Sequence, residues 1–338
     1  MSDQEVGALR QRFSAILKGL IWFYLVLVLL IMTASVLYPD IEIRGIILSV
    51  GTVALFLSIP LLIIALALRA PRLILGCLVA VAGWSLFHAH YLIPRHTASD
   101  IAPDFTVLTY NLQMTTEDLE VLATILEQTD ADIVALQELS VLAGAHFKTR
   151  LSTRYPYIAF YPRNPGNTGM GVMSRYPITD EEFWQNEQID GALGNMRVEI
   201  DVDGTLIALY NVHPRPPISF ESGLTPAAHS AEVDVLMARL ADEPLPTLIA
   251  GDLNMSPWLD EYPQITGAGF RDSFYDVGHA GFGFTFPAGK AGLPNMPMLR
   301  LDYLFHDASF TALESYVWSQ SGPSDHLPVW TSLIFTGP

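Results

Sequence analysis

The sequence contains one cysteine, Cys77, among 338 residues. A single thiol excludes an intramolecular disulfide and any metal site built from several cysteines. Because Cys77 lies inside a long apolar run, we interpret it as a packing residue. Glycine-rich phosphate loops and the G-x-S-x-G nucleophile elbow are also absent from the sequence. These absences disfavour nucleotide binding through such a loop and serine hydrolase chemistry of the elbow type.

Charged residues are scarce, at 16% of the chain, against roughly 25% in ordinary soluble domains. Residues 1–98 carry seven Lys/Arg and four Asp/Glu, a net of +3; residues 99–338 carry eleven and thirty-one, a net of −20, and the sum is the −17 of the whole chain. The protein therefore has an apolar, slightly basic head and a strongly acidic body. An acidic body lacks the basic face of most nucleic-acid binders and disfavours nucleic acid as a partner.

Long apolar runs fill the head and predict an all-α transmembrane region over residues 1–98. Three transmembrane helices are expected at about 16–37, 45–68 and 73–93, since a bilayer crossing takes roughly 20 apolar residues. Arg10, Arg12 and Lys18 lie at the start of the first run, and Arg69 and Arg72 separate the second from the third. The positive-inside rule then predicts a multi-pass cell-membrane protein with an extracytoplasmic body. A cleaved signal peptide is disfavoured because two further runs follow the first.

The body, residues 105–335 after a linker at 99–104, has the pattern of one α/β domain. Helical periodicity occurs at 116–128 and 227–241, between runs typical of strands. This mixture predicts sheets flanked by helices. The predicted strands are residues 105–110, 133–137, 171–173, 198–202, 206–212, 247–250, 302–305 and 329–335.

Polar residues recur where these strands begin or end, which is where sites are usually built in α/β sheets. The set combines several carboxylates with asparagines and two histidines: Asn111, Glu138, His213, Asp252, Asn254, Asp302, Asp325 and His326. Oxygen ligands without a thiolate suit hard cations such as Mg²⁺ or Mn²⁺. A metal, a carboxylate that activates water and a histidine that stabilises negative charge together fit hydrolysis of a phosphate ester.

Seven short segments have the wording and order of a known family. They are Thr109-Tyr110-Asn111, Leu136-Gln137-Glu138, residues 169–177 (GMGVMSRYP), Asn211-Val212-His213, residues 251–254 (GDLN), residues 300–303 (RLDY) and Ser324-Asp325-His326. On these segments the body resembles the endonuclease/exonuclease/phosphatase superfamily over nearly all of residues 104–335. The resemblance implies the DNase-I-like fold, a four-layer α/β sandwich with its active site at one end.

The resemblance also implies roles for the site residues. Asn111 and Glu138 are expected to bind the divalent metal, Mg²⁺ or Mn²⁺, with Asp325 as a further metal-site residue. Asp252 is expected to position or deprotonate the attacking water, with Asn254 as its partner. His213 is expected to contact the scissile phosphate. His326 is the second implied catalytic histidine, oriented by Asp302.

The sequence departs from the family pattern at two positions. Abasic-site endonucleases of the superfamily carry tyrosine where this chain has His213, which argues against DNA repair. Many nuclease members carry an acidic residue two positions after the first asparagine, where this chain has Gln113, so a second metal position stays open. Arg215, two residues after His213, is a candidate for binding a substrate phosphate.

Three functions remain open at this point. The leading hypothesis is a membrane-anchored, metal-dependent phosphoesterase acting on a lipid-linked or other envelope phosphate. The first alternative is an extracytoplasmic nuclease on the same scaffold, and the second is a non-catalytic membrane-anchored binding module. The sequence does not distinguish monoesterase from diesterase activity, and it does not give the oligomeric state.

Overall fold

The structure, a computed structural model, describes residues 3–38, 43–87, 101–115, 117–163, 167–219, 223–277, 281–289 and 296–336. The chain divides into two compact units, Met1–Leu92 and Ile93–Pro338. The end of the third predicted span, residues 88–93, and the first residues of the predicted linker, 99–100, lie outside the described residues.

The first unit is helical throughout its described residues. It contains α1 (Asp3–Leu37), α2 (Arg44–Phe56), α3 (Ser58–Ala67) and α4 (Pro71–Phe87). Ile21 of α1, Ala65 of α3 and Cys77 of α4 belong to one buried cluster, in agreement with a packing role for the thiol. Most large apolar side chains of α1 nevertheless remain exposed, so the helices do not cover their own apolar surface.

One described helix is long and apolar enough to cross a bilayer, namely Gln4–Ser35 within α1. Ser58–Ala67 and Pro71–Gly83 are apolar but shorter. The predicted span at 45–68 is not one continuous helix, because α2 ends at Phe56 and α3 begins at Ser58. Pro60 explains the interruption, since it has no N–H to donate to the carbonyl of Phe56 four residues earlier. The structure thus supports one candidate membrane helix and does not show three.

The second unit is built on two mixed six-stranded sheets. The first sheet has the order β13-β14-β1-β2-β4-β3 and the second the order β11-β12-β10-β7-β6-β5. Both confirm the predicted α/β class. The strands of the first sheet are β1 (Phe105–Asn111), β2 (Ile133–Gln137), β3 (Tyr157–Tyr161), β4 (Met170–Ser174), β13 (Phe310–Val317) and β14 (Val329–Phe335).

The second sheet and the outer helices complete the unit. Its strands are β5 (Ile178–Gln185), β6 (Gly194–Val202), β7 (Thr205–Val212), β10 (Thr247–Asp252), β11 (Arg271–Asp272) and β12 (Asp302–His306); a small separate pair is formed by β8 (Ile218–Ser219) and β9 (Gly223–Leu224). The helices are α5 (Leu119–Thr129), α6 (Val141–Leu151), α7 (Pro226–Ala241), α8 (Glu261–Gly267) and α9 (Ser273–Asp276).

Three apolar clusters order the strands and helices into four layers. The central cluster joins both sheets, with Val107 and Val172 of the first packed among Val198 and Leu209 of the second. A second cluster packs α5 and α6 on the first sheet, and a third packs α7 and α8 on the second. Alternate side chains of a strand point to opposite faces, so each sheet supplies two of these clusters. The predicted four-layer sandwich is confirmed.

Strand direction gathers the polar residues at one edge. In the first sheet β1 runs parallel to β2 and antiparallel to β14, and in the second β10 runs parallel to β7 and antiparallel to β12. The carboxyl ends of the parallel strands therefore lie beside the starts of their antiparallel neighbours. Residues after β1, β2, β7 and β10 consequently meet residues at the start of β12 and just before β14.

Candidate active site

Asn111 and Glu138 form the part of the site that the first sheet supplies. Asn111 is the last residue of β1, and Glu138 follows β2 in a left-handed conformation, with φ 53°. The Asn111 amide donates to Glu138 Oε1 at 3.2 Å and to Asp252 Oδ2 at 2.9 Å. One buried amide thereby joins carboxylates that stand on different sheets.

Asp252 and Asp302 form the part that the second sheet supplies. They are opposed in the antiparallel register of β10 and β12, and both are buried. Gly251 before Asp252 has φ 152°, and a Cβ there would lie 1.9 Å from the carbonyl oxygen of Val212. Glycine is therefore required for β10 to approach β7 closely where the site begins.

Two histidines converge on Asp252. His213 Nε2 lies 3.6 Å from Asp252 Oδ2 and 3.8 Å from Glu138 Oε1. His326 Nε2 lies 3.6 Å from the same Asp252 oxygen, and its Nδ1 donates to Asp302 Oδ2 at 2.8 Å. The structure thus places both imidazoles and the Asn111 amide around one carboxylate oxygen, Asp252 Oδ2.

The two histidines have opposite protonation tendencies. Burial lowers the pKa of His213, and the neighbouring His326 lowers it further against the opposing effect of Asp252. Burial also disfavours the charged form of His326, but the carboxylates of Asp302 and Asp252 outweigh it and raise its pKa to about 10. At neutral pH the site therefore combines a neutral imidazole with an imidazolium.

Histidines are the ion-pair partners of two acidic residues of the site. Among the described residues, Glu138 and Asp252 make ion-pair contacts only with histidines. Burial raises the pKa of Glu138 to about 7, with further contributions from Asp252 and Asp325. The carboxylates outnumber the imidazolium of His326, and such an oxygen-rich donor set fits a hard divalent cation, so the predicted ligands suit Mg²⁺ or Mn²⁺.

A second group of potential metal ligands lies beside Glu138 and Asn111. Ligand atoms of Asp252, Asp302 and His326 lie within 4.8 Å of one another. Asp302 Oδ1 is buried and has no hydrogen-bond partner among the described residues. The raised pKa of His326 opposes metal binding there, because an imidazolium has no free lone pair. We therefore favour the side of Glu138 and Asn111 for the cation.

The remaining predicted residues also lie at this edge. The backbone N–H of Asn254 donates to Asp252 Oδ1 at 2.9 Å, and its side-chain amide donates to the Pro214 carbonyl at 3.0 Å. Asp325 Oδ1 lies 3.9 Å from His326 Nε2. Asp325 Oδ2 accepts the amide N–H of Gln113 at 2.7 Å. Gln113 therefore contributes a neutral donor where an acid would add charge.

Arg215 has a different environment from the one a phosphate-binding residue needs. Its side chain is buried, and its guanidinium donates to the carbonyl of Asp190 and lies against Gly191. In this arrangement the guanidinium holds the loop before β6, and its contact with a substrate phosphate stays a prediction.

Sequence reasoning missed several residues that hold the site together. Ser324 donates to the Asn111 carbonyl at 2.7 Å and accepts the His326 N–H at 3.0 Å. His229 and Glu232 are buried on α7 and contact the backbone of Arg215. A signal for them exists in the sequence. They share the stripe of Val233, Leu236 and Leu240, where polar residues facing the core are unusual.

The chain is similar to one family of proteins and to several solved structures. No curated protein sequence matches the chain at a significant level. Solved structures are similar to 68% of this chain. One is an endonuclease/exonuclease/phosphatase family protein from Leptotrichia buccalis (19% identity, TM-score 0.54, 100% of that chain covered), and another is a protein of unknown function from Enterococcus faecalis (18% identity, TM-score 0.57, 99% of that chain covered). A mannosyl-6-phosphatase from Bacteroides thetaiotaomicron is similar at 18% identity, with a TM-score of 0.51, over 68% of this chain and 100% of that chain. Residues 108–326, well over half of the chain and including every residue of the site described above, match the model of one family. The chain belongs to the endonuclease/exonuclease/phosphatase family.

Proposed function

We propose that the protein is a membrane-attached, divalent-metal-dependent phosphoesterase that hydrolyses a phosphate ester by attack of an activated water. The observation that carries the proposal is the position of Asp252, whose Oδ2 lies within 3.6 Å of His213 Nε2 and His326 Nε2 and accepts the Asn111 amide N–H. A single oxygen surrounded by two imidazoles is the geometry expected of a base that takes a proton from water beside a phosphate.

Each side chain has a role that follows from its environment. Burial raises the pKa of Asp252, which makes its carboxylate a better proton acceptor than an exposed aspartate. His326 is an imidazolium at neutral pH and stabilises the negative charge that develops on the phosphoryl oxygens. His213 is neutral, so its Nε2 can accept or donate one hydrogen bond at the phosphate.

The metal is assigned to the more open side of the site. Glu138, Asn111 and Asp325 would hold Mg²⁺ or Mn²⁺, and the ion would supply positive charge to the phosphate. Asn111 would bind the ion through its amide oxygen Oδ1, which accepts the Gln113 N–H at 2.8 Å and has a second lone pair.

The charges around the site favour a small phosphate ester over nucleic acid. A protein that grips a polyanion uses unpaired lysines and arginines. In the described part of the second unit, most arginines are already paired with carboxylates. They are Arg150, Arg154, Arg175, Arg197, Arg239, Arg271 and Arg300. Arg215 is held by a carbonyl, as described above.

The apolar helices suggest where the substrate is located. Gln4–Ser35 supports attachment to a membrane, and α3 and α4 extend the apolar region. We propose that the unit crosses the bilayer three times, with the α2–α3 pair as one crossing, and that the second unit is extracytoplasmic. A lipid-linked or other membrane-associated phosphate is then the substrate class nearest to the site.

The test is phosphate release by the full-length protein in detergent with Mg²⁺. The panel contains a lipid pyrophosphate, a phospholipid, a sugar phosphate and plasmid DNA, with Asp252→Asn as the blank. We expect turnover of the lipid phosphates that depends on Asp252 and is abolished by EDTA. Turnover of DNA alone would instead establish the nuclease alternative. Absence of turnover on every substrate would favour a binding role.

A further inference from the structure

The segment His213-Pro214-Arg215, here called the 213–215 segment, follows β7 and carries one of the two histidines of the site. Proline at 214, 216 and 217 removes three N–H groups, so this stretch cannot continue the ladder of β7. Its remaining backbone groups still require partners, because a buried backbone group without a hydrogen bond is costly.

Side chains from other elements supply those partners at the start of the segment. The His213 N–H donates to Asn195 Oδ1 of β6 at 3.1 Å. The Pro214 carbonyl accepts the Asn254 amide, which follows β10, at 3.0 Å. The backbone around His213 is thus held from two neighbouring strands of the second sheet.

Helix α7 holds the end of the segment with two buried side chains. The Arg215 N–H donates to Glu232 Oε2 at 2.7 Å, and the Arg215 carbonyl accepts a hydrogen bond from His229 Nδ1 at 2.7 Å. Glu232 is only 6% exposed, and its other oxygen accepts the N–H of Leu193, just before β6, at 3.1 Å. One carboxylate therefore ties the loop before β6 to the 213–215 segment.

We propose that Glu232 is a positioning residue, which fixes the backbone of the 213–215 segment and thereby the place of the His213 imidazole. A carboxylate is needed at this position because two backbone N–H groups point at it from different elements, and only a group with two acceptor oxygens satisfies both. Glutamine has the same size but replaces one acceptor with an NH₂ donor, which opposes an N–H. The inference rests on the proposed function, since it takes His213 to act at the phosphate.

The burial of Glu232 supports a specific purpose for this contact. A carboxylate enclosed on the packed face of α7, beside Val233 and Leu236, costs free energy that an apolar residue would avoid. Neither of its oxygens contacts a lysine or an arginine side chain among the described residues, so it does not serve as a structural ion pair. Both of its oxygens accept hydrogen bonds from backbone N–H groups of segments that flank the site.

Hydrogen exchange tests the contact without any assay of activity. A proteolytic fragment that spans Val212 to Pro217 contains few exchanging amides after its first residue, because Pro214, Pro216 and Pro217 have none. Exchange in this fragment therefore reports on the N–H groups of His213 and Arg215. In the full-length protein in detergent, we expect Glu232→Gln to speed exchange here by about tenfold or more, the effect of losing roughly 1.4 kcal/mol of protection.

Kinetics with a matched control test the positioning role. Glu243 also has a buried carboxylate, but it binds Arg197 and Tyr210, and among the described residues it makes no hydrogen bond with the 213–215 segment. We expect Glu232→Gln to lower kcat about tenfold or more with KM within about twofold, because a misplaced imidazole affects the transition state more than binding. Glu243→Gln should lower the midpoint of thermal unfolding and leave both kcat and exchange in the fragment unchanged.

A second variant distinguishes loss of a contact between α7 and Arg215 from misfolding of the whole unit. His229→Leu removes the other contact of α7 with Arg215 and should speed exchange in the same fragment, while exchange in a fragment from β1 stays slow in both variants. Unchanged exchange in Glu232→Gln would overturn the inference. Faster exchange with unchanged kcat would overturn the positioning role. A wild-type chain that hydrolyses none of the substrates would overturn the proposed function and the catalytic part of this inference, and that result is distinct from unchanged exchange.

Discussion

The two sheets contribute unlike carboxylates to one site. On the side of the first sheet, the side chain of Glu138 is 15% exposed and that of Asp325 is 23% exposed. On the side of the second sheet, Asp252 is 2% and Asp302 0% exposed. Residues of the same type therefore differ in access to solvent within a few ångströms.

This difference divides the chemistry between the sheets. A partly open carboxylate can exchange water for a hydrated cation at low cost, whereas a buried one is stabilised by fixed protein groups. Asp252 and Asp302 have such groups in His213, His326 and Asn111. The difference in exposure agrees with the proposal that the first sheet binds the metal and the second handles protons, and the following variants test that proposal.

The largest loss of activity is expected for substitution of Asp252, which contacts Asn111 of the first sheet and His213 of the second. Asp252→Asn removes the proton acceptor and the negative charge that both imidazoles face, so kcat should fall by about 10²–10⁴-fold. Phosphate release at saturating substrate measures this loss. Asp132→Asn is the control, since Asp132 precedes β2 at the edge away from Glu138 and pairs with Arg175. Its kcat should stay within about twofold of wild type.

Metal affinity distinguishes the carboxylates of the first sheet from those of the second most directly. Glu138→Gln should weaken Mn²⁺ binding by about 10–100-fold, because it removes a charged ligand on the open side. Asp302→Asn should leave the Mn²⁺ dissociation constant within about threefold. Titration of the full-length protein followed by electron paramagnetic resonance gives both values. A larger loss of Mn²⁺ affinity in Asp302→Asn than in Glu138→Gln would place the ion among Asp252, Asp302 and His326. It would contradict the proposal that the first sheet binds the metal.

The pH dependence of activity tests the role of the buried carboxylates of Asp252 and Asp302. Because Asp302 and Asp252 raise the pKa of His326 to about 10, its imidazolium persists through neutral pH and is lost only as the pH rises toward that value. Asp302→Asn removes one of the two charges, so the alkaline limb of the kcat profile should move down by about 1–2 pH units. An unshifted limb would show that His326 does not titrate in that limb.

The smallest effect on metal affinity is expected at Gln113, which contacts both Asp325 and Asn111. Its side chain donates to Asp325, and its backbone N–H donates to Asn111 Oδ1 at 2.8 Å. Gln113→Leu should weaken Mn²⁺ binding by about threefold, because Asp325 loses a positioning hydrogen bond but keeps its charge. Calorimetric titration measures the change. A loss as large as that of Glu138→Gln would make Gln113 part of the metal site itself.

Much of the fold of the second unit is predictable from local patterns. The strands at 133–137 and 329–335 were predicted with the bounds of β2 and β14, and the helix at 227–241 with nearly the bounds of α7. Buried strands bounded by turn residues give a strong signal. The helix predicted at 116–128 begins later, at Leu119, after three residues with left-handed backbone conformations, Gln113, Met114 and Asp118.

The elements that sequence reasoning missed are stabilised by pairing. Ile178–Gln185 contains Asp180, Glu181 and Glu182 and lies at the edge of the second sheet, mostly exposed. Its strand conformation comes from the hydrogen bonds of β6, which no local propensity reveals. Phe310–Val317 alternates buried and less buried residues, but a bulge between Ala312 and Glu314 interrupts the period.

The site residues were predictable as a set because strand ends carry them, and their geometry was not. Chain order does not say that β10 and β12 are antiparallel neighbours, which is what places Asp302 opposite Asp252. It also does not show that Arg215 turns toward the Asp190 carbonyl. In the head, apolar composition predicted three helices, whereas the backbone effect of Pro60 divides the second run.

The pairing of β1 with β14 determines when the site is assembled during synthesis of the chain. Phe105 faces Leu333 in that register, so a strand at the start of the second unit has a partner more than 200 residues later. Contacts of such long sequence separation form slowly and late. On the ribosome, Asn111 and Glu138 emerge well before the segment that carries His326 and β14. In a nascent chain the site is therefore incomplete until the segment that carries His326 and β14 has left the ribosome and β14 has paired with β1.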